Sequence, residues 1–475
     1  MVVLTSSFQF QISSASAQCG GTWAIRSPAA VPPGRFQHAM AFDSGRGVTV
    51  LFGGIDVARM NDTWEWNGTQ WTQKNPPISP SARNVHAMAY DSGRGVTVLF
   101  GGYDGMNSLG DTWEWNGTAW AQRSPSTSPS PRDSHAMAYD SLRGVTVLFG
   151  GTAGGDETWE WDGANWTKRS PAVSPSARQS HVMAYDTGRG VTVLFGGYSG
   201  GANDETWEWN GTNWFKRSPS TVPGGRYETS MAYDAVEQVA VLFGGFNSVS
   251  VNNETWEWDG ANWSQRLPLT KPSERRDTAM VFDMARGVSV LFGGDDGAAT
   301  LDETWEWSGP RPKISQQPAS LVVAVGQTAV FSVTASSQAV LTYQWRRNGA
   351  PLSDGGAISG SSSASLSINP VADANVGSYD CLVSSACGSI ASMSATLATD
   401  ACKASSATGD CNGNEVLDSC EIAADPSLDA NENGVLDSCE SATPKGGCGT
   451  CGAGATMMMP VALLAFIASR SRRRR

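Results

Sequence analysis

At 475 residues, with 40% hydrophobic and 16% charged residues, the chain has a globular composition with room for two or three domains, and a disordered chain is excluded. The net charge of −12, with no basic stripe before the extreme C-terminus, argues against nucleic acid as a partner. Cys19 stands alone, residues 20–380 hold no cysteine, and eight cysteines crowd into 381–451, as expected of a Cys-free domain followed by small disulfide-stapled modules in an oxidising compartment.

In chain order, residues 1–17 are Ser-rich and end in Ala15-Ser16-Ala17, an A-x-A cleavage pattern without a basic n-region, which reads as a signal peptide with a truncated start. Six repeats follow. Gly-Gly pairs begin at 53, 101, 150, 196, 244 and 293, giving steps of 48, 49, 46, 48 and 49 residues. Within each unit four short segments, such as "HAMAY", "GVTVLF", "TWEWN" and "WAQR", are β-branched or aromatic and bounded by Gly, Pro, Asn or Asp, so each unit predicts four strands and no helix. Five copies place Asn-Gly or Asp-Gly between the third and fourth strands, where both residues of a tight hairpin need positive φ. A four-stranded unit at this period predicts a β-propeller.

The last unit, "TWEWSGPRPKI", lacks a fourth strand, whereas the chain opens on "TWAIRSPAAVPPGR", which matches the fourth strand and linker "NWFKRSPSTVPGGR" at 213–226. Residues 22–27 are therefore expected to complete the sixth blade. Eighteen of the 19 Trp then fall within the ring as filling between blades, and Trp345 lies outside it.

The Gly-Gly after the second strand, the aromatic third strand, the Trp of the fourth and the R-x-x-H opening of the first resemble the kelch repeat family over residues 20–309. That resemblance implies four-stranded blades around a central channel. His38, His86, His135 and His181 occupy one repeat position, filled by Thr229 and Thr278 in the last two copies, and are read as framework rather than metal ligands. The recurring Glu of W-E-W (Glu65, Glu114, Glu160, Glu208, Glu257, Glu306) and the Arg before the His position (Arg35, Arg83, Arg132, Arg178, Arg226, Arg275) are expected to form blade-to-blade bridges. The copper chemistry of a kelch-type oxidase would need a ring cysteine, and none is present. The loops after Gly-Gly run 8, 9, 6, 8, 9 and 9 residues and vary most in content. They share a face with the blade-to-blade linkers, so a binding surface is expected there, with Tyr103, Asp104, Tyr198, Phe246, Asp295 and Asp296 as candidates.

Past residue 311 the composition turns Ser/Ala/Val-rich. The words "YQWRRNGAPL" and "DANVGSYDCLVSSACGS" resemble a bacterial surface-type immunoglobulin-like domain over 312–399. The resemblance implies Trp345 as core Trp and Tyr379 as corner Tyr; Val333 stands where the strand-B Cys would be, and Cys381 and Cys387 are expected to pair across a hairpin. Residues 400–442 carry two twelve-residue loops with oxygen ligands in calcium-loop register: Asp410, Asn412, Asn414, Val416, Asp418 and Glu421, then Asp429, Asn431, Asn433, Val435, Asp437 and Glu440. They resemble dockerin-like and thrombospondin-type calcium repeats, which imply calcium as the cofactor. Over 443–475, "GGCGTCG", an uncharged stretch at 453–469 and five Arg resemble the tripartite C-terminal sorting signals of Gram-negative bacteria, of the myxobacterial kind.

The expected protein is all-β: a six-bladed kelch propeller (18–311) closed by an N-terminal strand, an Ig-like sandwich, a calcium-loop module and a C-terminal transmembrane helix. It is read as a monomeric, non-enzymatic cell-surface protein, anchored or processed at its C-terminus, that binds a protein or glycan through the loop face. The alternative is an extracellular carbohydrate-active enzyme, a sugar epimerase, lyase or oxidase, working at the channel mouth.

Overall fold

The computed structural model describes residues 19–337 and 339–399, with isolated positions at 422, 428, 429 and 436. Two compact units are present, the first holding residues up to 313 together with 336–341 and 384–389, the second 314–335, 342–383 and 390 onward.

The first unit contains six antiparallel four-stranded sheets. Blade 1 is typical: Ala39–Asp43 innermost, then Val48–Phe52, Thr63–Trp66 and, outermost, Trp71–Lys74. The second strand packs between neighbouring blades on both faces, and Val50, Leu51 and Phe52 are fully buried, which is why this segment reads as a continuous apolar run rather than an alternating one. Blade 6 has three strands of its own, and Thr22–Arg26 supplies the fourth, pairing Trp23 with Trp307 in register, as expected.

Each outer-strand Trp is bonded backward across a blade interface. Its indole N–H donates to the third-strand Thr of the preceding blade: Trp120 to Thr63, Trp166 to Thr112, Trp214 to Thr158, Trp263 to Thr206, Trp23 to Thr255 and Trp71 to Thr304, at 2.8–3.0 Å. The first glycine of each pair is required twice over. Gly101 has φ of 64°, and a Cβ there would lie 2.5 Å from the Arg132 carbonyl of the next blade.

The ion pairs run differently from the expected blade-to-blade bridges, lying within blades. Arg35 is fully buried, chelates Asp62 at 2.6 and 2.9 Å and donates to the Gly53 carbonyl at 2.9 Å, so it clamps the Gly-Gly turn of its own blade. The W-E-W glutamates take other partners: Glu114 accepts from Arg94 of the inner turn at 2.5 Å, from Arg123 of the outer strand at 2.6 Å, and from the next blade's Trp161 at 3.1 Å. The reason is register along the third strand: Glu114 pairs with Val98, two residues further from the Gly-Gly turn than the Thr112–Phe100 pair, whereas Asp111, just before Thr112, lies at the Gly-Gly end beside Arg83.

Blade 5 breaks this pattern. Glu237 stands where the other blades' inner turns carry Arg46, Arg94, Arg143, Arg189 or Arg286, and Arg311, just after the last blade, comes to Glu237 at 3.0 Å in its place. Burial pushes Glu237 up to about 7 and Asp234 up to about 6, and burial also raises Glu257.

The second unit is a β-sandwich. One sheet orders Leu321–Val323, Ala395–Thr399, Gly377–Ser385, Thr342–Arg347 and Ala350–Pro351; the other holds Ala329–Ser332, Ser365–Ile368 and Ile358–Ser359. Trp345 and Tyr379 are fully buried, and the Tyr379 hydroxyl donates to the Asn375 carbonyl at 2.6 Å, the corner expected of it.

The expected Cys381–Cys387 pair does not form: Cys387 is bonded to Cys19, and Cys381 is a free, buried thiol that burial pushes up to about 11. Alternation along Gly377–Ser385 turns Cys381 into the core, where its cross-hairpin neighbour is Ser392, whose backbone N–H donates to the Cys381 carbonyl at 2.9 Å. Cys387 lies in the hairpin turn, beyond the reach of that inward position. Among the described residues no helix is long and apolar enough to cross a membrane; the expected span at 453–469 and the expected signal peptide at 1–17 lie outside them.

Two outcomes test this account. Trp23 is 2% exposed whereas Ile25 of the same strand is 49% exposed. Trp23→Ala should therefore lower the propeller's melting midpoint by about 10 °C, from roughly 3–5 kcal/mol of lost burial. Ile25→Ala should leave it nearly unchanged; equal melting of both variants in calorimetry would show that the N-terminal strand does not close the ring. For Glu237 the proton is bound more tightly in the folded chain than in the unfolded one. Its stabilising contribution is full below the ordinary value of 4.5 and is lost as pH rises through about 7. Glu237→Gln should accordingly raise the melting midpoint at pH ~8 and change it little at pH ~5.

Candidate functional site

The long loops and the blade-to-blade linkers meet at one end of the channel. Between the clamping Arg and the His or Thr of each inner strand lie two residues, and the second of each pair forms the channel mouth: Gln37, Val85, Ser134, Ser180, Glu228 and Asp277. All six adopt left-handed backbone, with φ of 48–57°. Their main chains close a ring of six hydrogen bonds, in which each N–H donates to the carbonyl of the preceding blade's equivalent at 2.8–3.0 Å, Gln37 to Asp277 included. The ring stabilises a backbone conformation that costs about 1–3 kcal/mol per non-glycine residue elsewhere.

Beneath the mouth is a cavity of about 130 Å³. The four repeat histidines line it, each set edge-on against the second-strand Phe of the preceding blade, as His86 is to Phe52 at 5.6 Å between centroids. Burial first, and the neighbouring clamp arginine second, hold His38, His135 and His181 down at about 3, and His86 well below its ordinary value, so all four are neutral. A hydrogen bond to the main chain of that same Phe acts in the opposite direction and is outweighed by burial, and the ring nitrogens have essentially no accessible surface. Nowhere among the described residues do three or more His, Cys, Asp or Glu side chains lie where a metal ion could be held.

Around the mouth the blades differ, and the differences join into one belt. Tyr198 meets Tyr227 edge-on at 5.4 Å, and Tyr227 meets Phe246 at 5.5 Å. The Arg276 guanidinium lies over Phe246 at 5.4 Å and pairs with Asp295 at 3.0 Å and Glu228 at 3.3 Å. Gln37 donates to Asp277 at 3.2 Å, Asn84 to Gln37 at 2.6 Å and Arg59 to Asn84 at 2.8 Å, and Arg59 lies over Tyr103 at 4.9 Å. Burial, with the charge of Glu228, pushes the Asp277 carboxyl well above its usual range; Glu228 is raised too, by burial first and by Asp295.

Of the sequence candidates, Tyr103, Tyr198, Phe246 and Asp295 sit in this belt. Asp104 and Asp296 do not: each spends its carboxylate on its own turn, Asp104 accepting from the Met106 and Asn107 N–H groups and Asp296 from those of Ala298 and Ala299, and these bonds lower both. Gln37, Arg59, Asn84, Tyr227, Glu228, Arg276 and Asp277 were not among the candidates. Six of these seven carry a signal in the sequence, since they fill the variable pair inside R-x-x-H and its Thr-ended copies: "RFQH", "RNVH", "RYET" and "RRDT".

Of the twelve expected calcium ligands only Asp429 is described; it is buried, as is Leu436 seven residues on. Asp410, Asn412, Asn414, Val416, Asp418, Glu421, Asn431, Asn433, Val435, Asp437 and Glu440 lie outside the described residues.

Comparison with known proteins agrees with this division of the chain. Residues 20–154 match the KLHDC2/KLHL20/DRC7 Kelch-repeats domain, and residues 311–385 match the immunoglobulin domain. Kelch repeats and an Ig-like domain are thus both present, the combination of a protein-binding or adhesion-type protein. Among curated proteins none matches. Solved structures that match include an I-band fragment of titin (22% identity, 19% of this chain and 32% of that chain, TM-score 0.17). The titin M3 domain also matches (26%, 19% and 96%, 0.17), as do the tandem Ig repeats of Dlar (17%, 25% and 76%, 0.18). The chain thus spans about a third of the titin I-band fragment.

Proposed function

We propose that the protein is a secreted, surface-anchored binding protein whose propeller recognises a protein partner through the loop face. The observation that carries this reading is the belt Tyr198–Tyr227–Phe246–Arg276, which gathers aromatic rings and an arginine on three adjacent blades of a framework that is otherwise uniform. Tyr and Arg dominate the energetics of protein interfaces, and rings held edge to edge lose little freedom on binding. Secretion is supported by the A-x-A pattern and by the Cys19–Cys387 disulfide, which belongs to an oxidising compartment. The apolar tail followed by arginines supports retention at the surface.

The convergence of Glu228 and Asp277 favours a second reading, a carbohydrate-active enzyme at the channel mouth. Against it stands the cavity of about 130 Å³, below the roughly 300–1,000 Å³ of ordinary small-molecule sites. The two readings part on an array of extracellular proteins and glycans. The full chain should retain a protein, and Tyr227→Ala with Phe246→Ala should weaken capture at least ~30-fold, at about 2 kcal/mol for a hot-spot pair, without changing the melting midpoint. Turnover of a glycan, lost with Glu228→Gln, would establish the enzyme instead.

Calcium is proposed for the two loops at 410–421 and 429–440. The burial of Asp429 at the first ligand position and of the apolar Leu436 supports a loop wrapped inward. When bound, the ion would supply the core that so short and polar a segment lacks. Calorimetric titration should show uptake in the roughly 10⁻⁴–10⁻³ M range of extracellular modules, with the second loop's uptake lost in the Asp429→Ala, Glu440→Ala double variant; no uptake at millimolar calcium would remove the ligand assignment.

A further inference from the structure

Seven N-x-[ST] triplets, the acceptor pattern for asparagine-linked sugar, occur in the chain, with Asn at 61, 67, 116, 165, 210, 253 and 262. The fold separates them. At Asn61 and Asn253 the hydroxyl of the triplet belongs to Thr63 or Thr255, which is buried and already taken by the indole of Trp120 or Trp23. At Asn165 and Asn262 the middle residue is a buried Trp, and the amide oxygen is held by Ser126 or Ser220 at 2.7–2.9 Å. Asn67, Asn116 and Asn210 remain. Each is exposed, and so is the Thr two residues on.

These three share one place, the tip of the hairpin between the third and fourth strands, in blades 1, 2 and 4. Their side-chain hydrogen bonds all fall on the amide oxygen. Asn67 Oδ1 accepts from the Thr69 N–H at 3.0 Å, the Thr69 hydroxyl at 2.8 Å and the Gln70 N–H at 2.9 Å. Asn116 and Asn210 repeat the pair of N–H bonds at 2.9 Å. The Nδ2 atom, which would carry the sugar, is left to solvent. The turn itself does not demand this choice of residues. Blades 3 and 5 place Asp162 and Asp259 there, with Ala two residues on, and make the same two turn bonds at 2.7–2.8 Å. Neither an amide nitrogen nor a Thr hydroxyl is needed for the hairpin, yet three copies carry both. The position of the tips is set by the glycine between. A Cβ on Gly68 would lie 2.7 Å from Arg286 Nε of the preceding blade's inner turn, and Gly117 and Gly211 meet Arg46 and Arg143 in the same way. The tips therefore stand beside the short turns, at the end of the blade opposite the Gly-Gly loops and the belt.

We infer that Asn67, Asn116 and Asn210 are glycan attachment sites, so that sugar covers the short-turn face and leaves the loop face bare. In the transfer, Asn Nδ2 attacks the anomeric carbon of an oligosaccharide carried on a lipid pyrophosphate. The carbon–nitrogen bond forms and the bond from that carbon to the phosphate oxygen breaks. The lipid pyrophosphate leaves with the electron pair, and the amide proton passes to a base of the transferase. The Thr hydroxyl is the other fixed part of the acceptor pattern, which is why its exposure matters as much as that of the Asn. An attached glycan is bulky and solubilising, so three of them on one face direct a protein partner to the other. The inference rests on the secretion proposed above, because the donor is delivered outside the cytoplasm, and does not rest on the belt.

The test uses the full chain isolated from the cells that make it, with mass spectrometry of its peptides and fragmentation that localises any added mass. Hexose or N-acetylhexosamine mass should sit on Asn67, Asn116 and Asn210, and the other four triplets should be bare. Thr69→Ala, Thr118→Ala and Thr212→Ala together should lower occupancy at least ~10-fold, whereas Ser at the same three positions should retain it. All three Thr are exposed, so neither triple variant should change the melting midpoint, which verifies that both are folded. Bare asparagines at all three sites in chain recovered outside the cytoplasm, equal occupancy of the buried triplets, or sugar that survives the Ala triple would each overturn the proposal. The state of Cys19 and Cys387 separates this failure from failure of the secretion reading. Bare sites on an oxidised chain remove the glycans alone, and a reduced chain found in the cytoplasm removes both. Array capture through Tyr227 and Phe246 uses the opposite face, so it stands or falls independently of the sugar.

Discussion

Six indole-to-threonine hydrogen bonds hold the ring, and the ring closes only because one of them comes from the far end of the chain. Five outer-strand tryptophans reach back to the preceding blade from within the repeats; the sixth, Trp23, precedes all of them and bonds Thr255. Without it blade 6 would end on an unpaired strand and blade 5 would lose the indole that covers its outer face, so both a sheet edge and an apolar surface would be open to water. Closure also forces uniformity. Rotation by one blade must bring each outer-strand Trp onto a Thr and each Arg carbonyl onto a Gly N–H, and at four interfaces a third-strand indole onto a Glu, so a change in one copy is felt at two interfaces. The near-identical words of the sequence are the record of that constraint.

Where the copies do differ, the structure either compensates or leaves the position outside the constraint. Glu237 is the first kind. It removes the turn arginine of blade 5, and Arg311 from beyond the last blade stands in at 3.0 Å, so residues after the ring help to neutralise it. The substitution leaves three carboxyls, Asp234, Glu237 and Glu257, all shifted upward mainly by burial. The channel-mouth residues are the second kind. Their main chains carry the hydrogen-bonded ring whatever the side chain, and their side chains face the channel, so glutamine, valine, serine and two acids occupy equivalent places.

Much of this was legible in the sequence, for a physical reason. Four strands per unit, the borrowed strand and the buried Trp345 and Tyr379 all follow from residue patterns tied to burial and turn geometry, and both leave strong local marks. What was not legible depends on where along its strand, and on which side of it, a side chain sits. The W-E-W glutamates and the clamp arginines recur with equal regularity, and regularity alone paired them with each other; their places along the strands put them at opposite ends of the blade, where Arg94 and Asp111 are the true partners of Glu114 and Arg83. Cys381 failed through its direction. Six residues from Cys387 it is near in sequence, yet it points into the core, and the actual bond spans 368 residues to Cys19, a separation that no spacing argument reaches.

A binding surface was sought in the loops because loops vary, and four of the six residues expected there sit in the belt on which the proposed function rests. Tyr103, Tyr198, Phe246 and Asp295 lie at the starts of those loops, where a single bridge ties each to the residue after a clamp arginine, as Phe246 is tied to Tyr227. The loop tips, represented by Asp104 and Asp296, are occupied with their own turns. Most of the rest of the belt lies inside the R-x-x-H word itself, in two positions bracketed by the most constrained residues of the repeat. That placement has a consequence for how the site is built. The arginine fixes the turn from one side and the histidine packs on the neighbouring blade from the other, so the intervening pair is held rigidly while its side chains are unconstrained by packing. Variation there changes the chemistry of the mouth without loosening the ring, which is why acids, an amide and the half-buried Arg276 can converge from blades 1, 5 and 6 on a scaffold whose stability is supplied elsewhere.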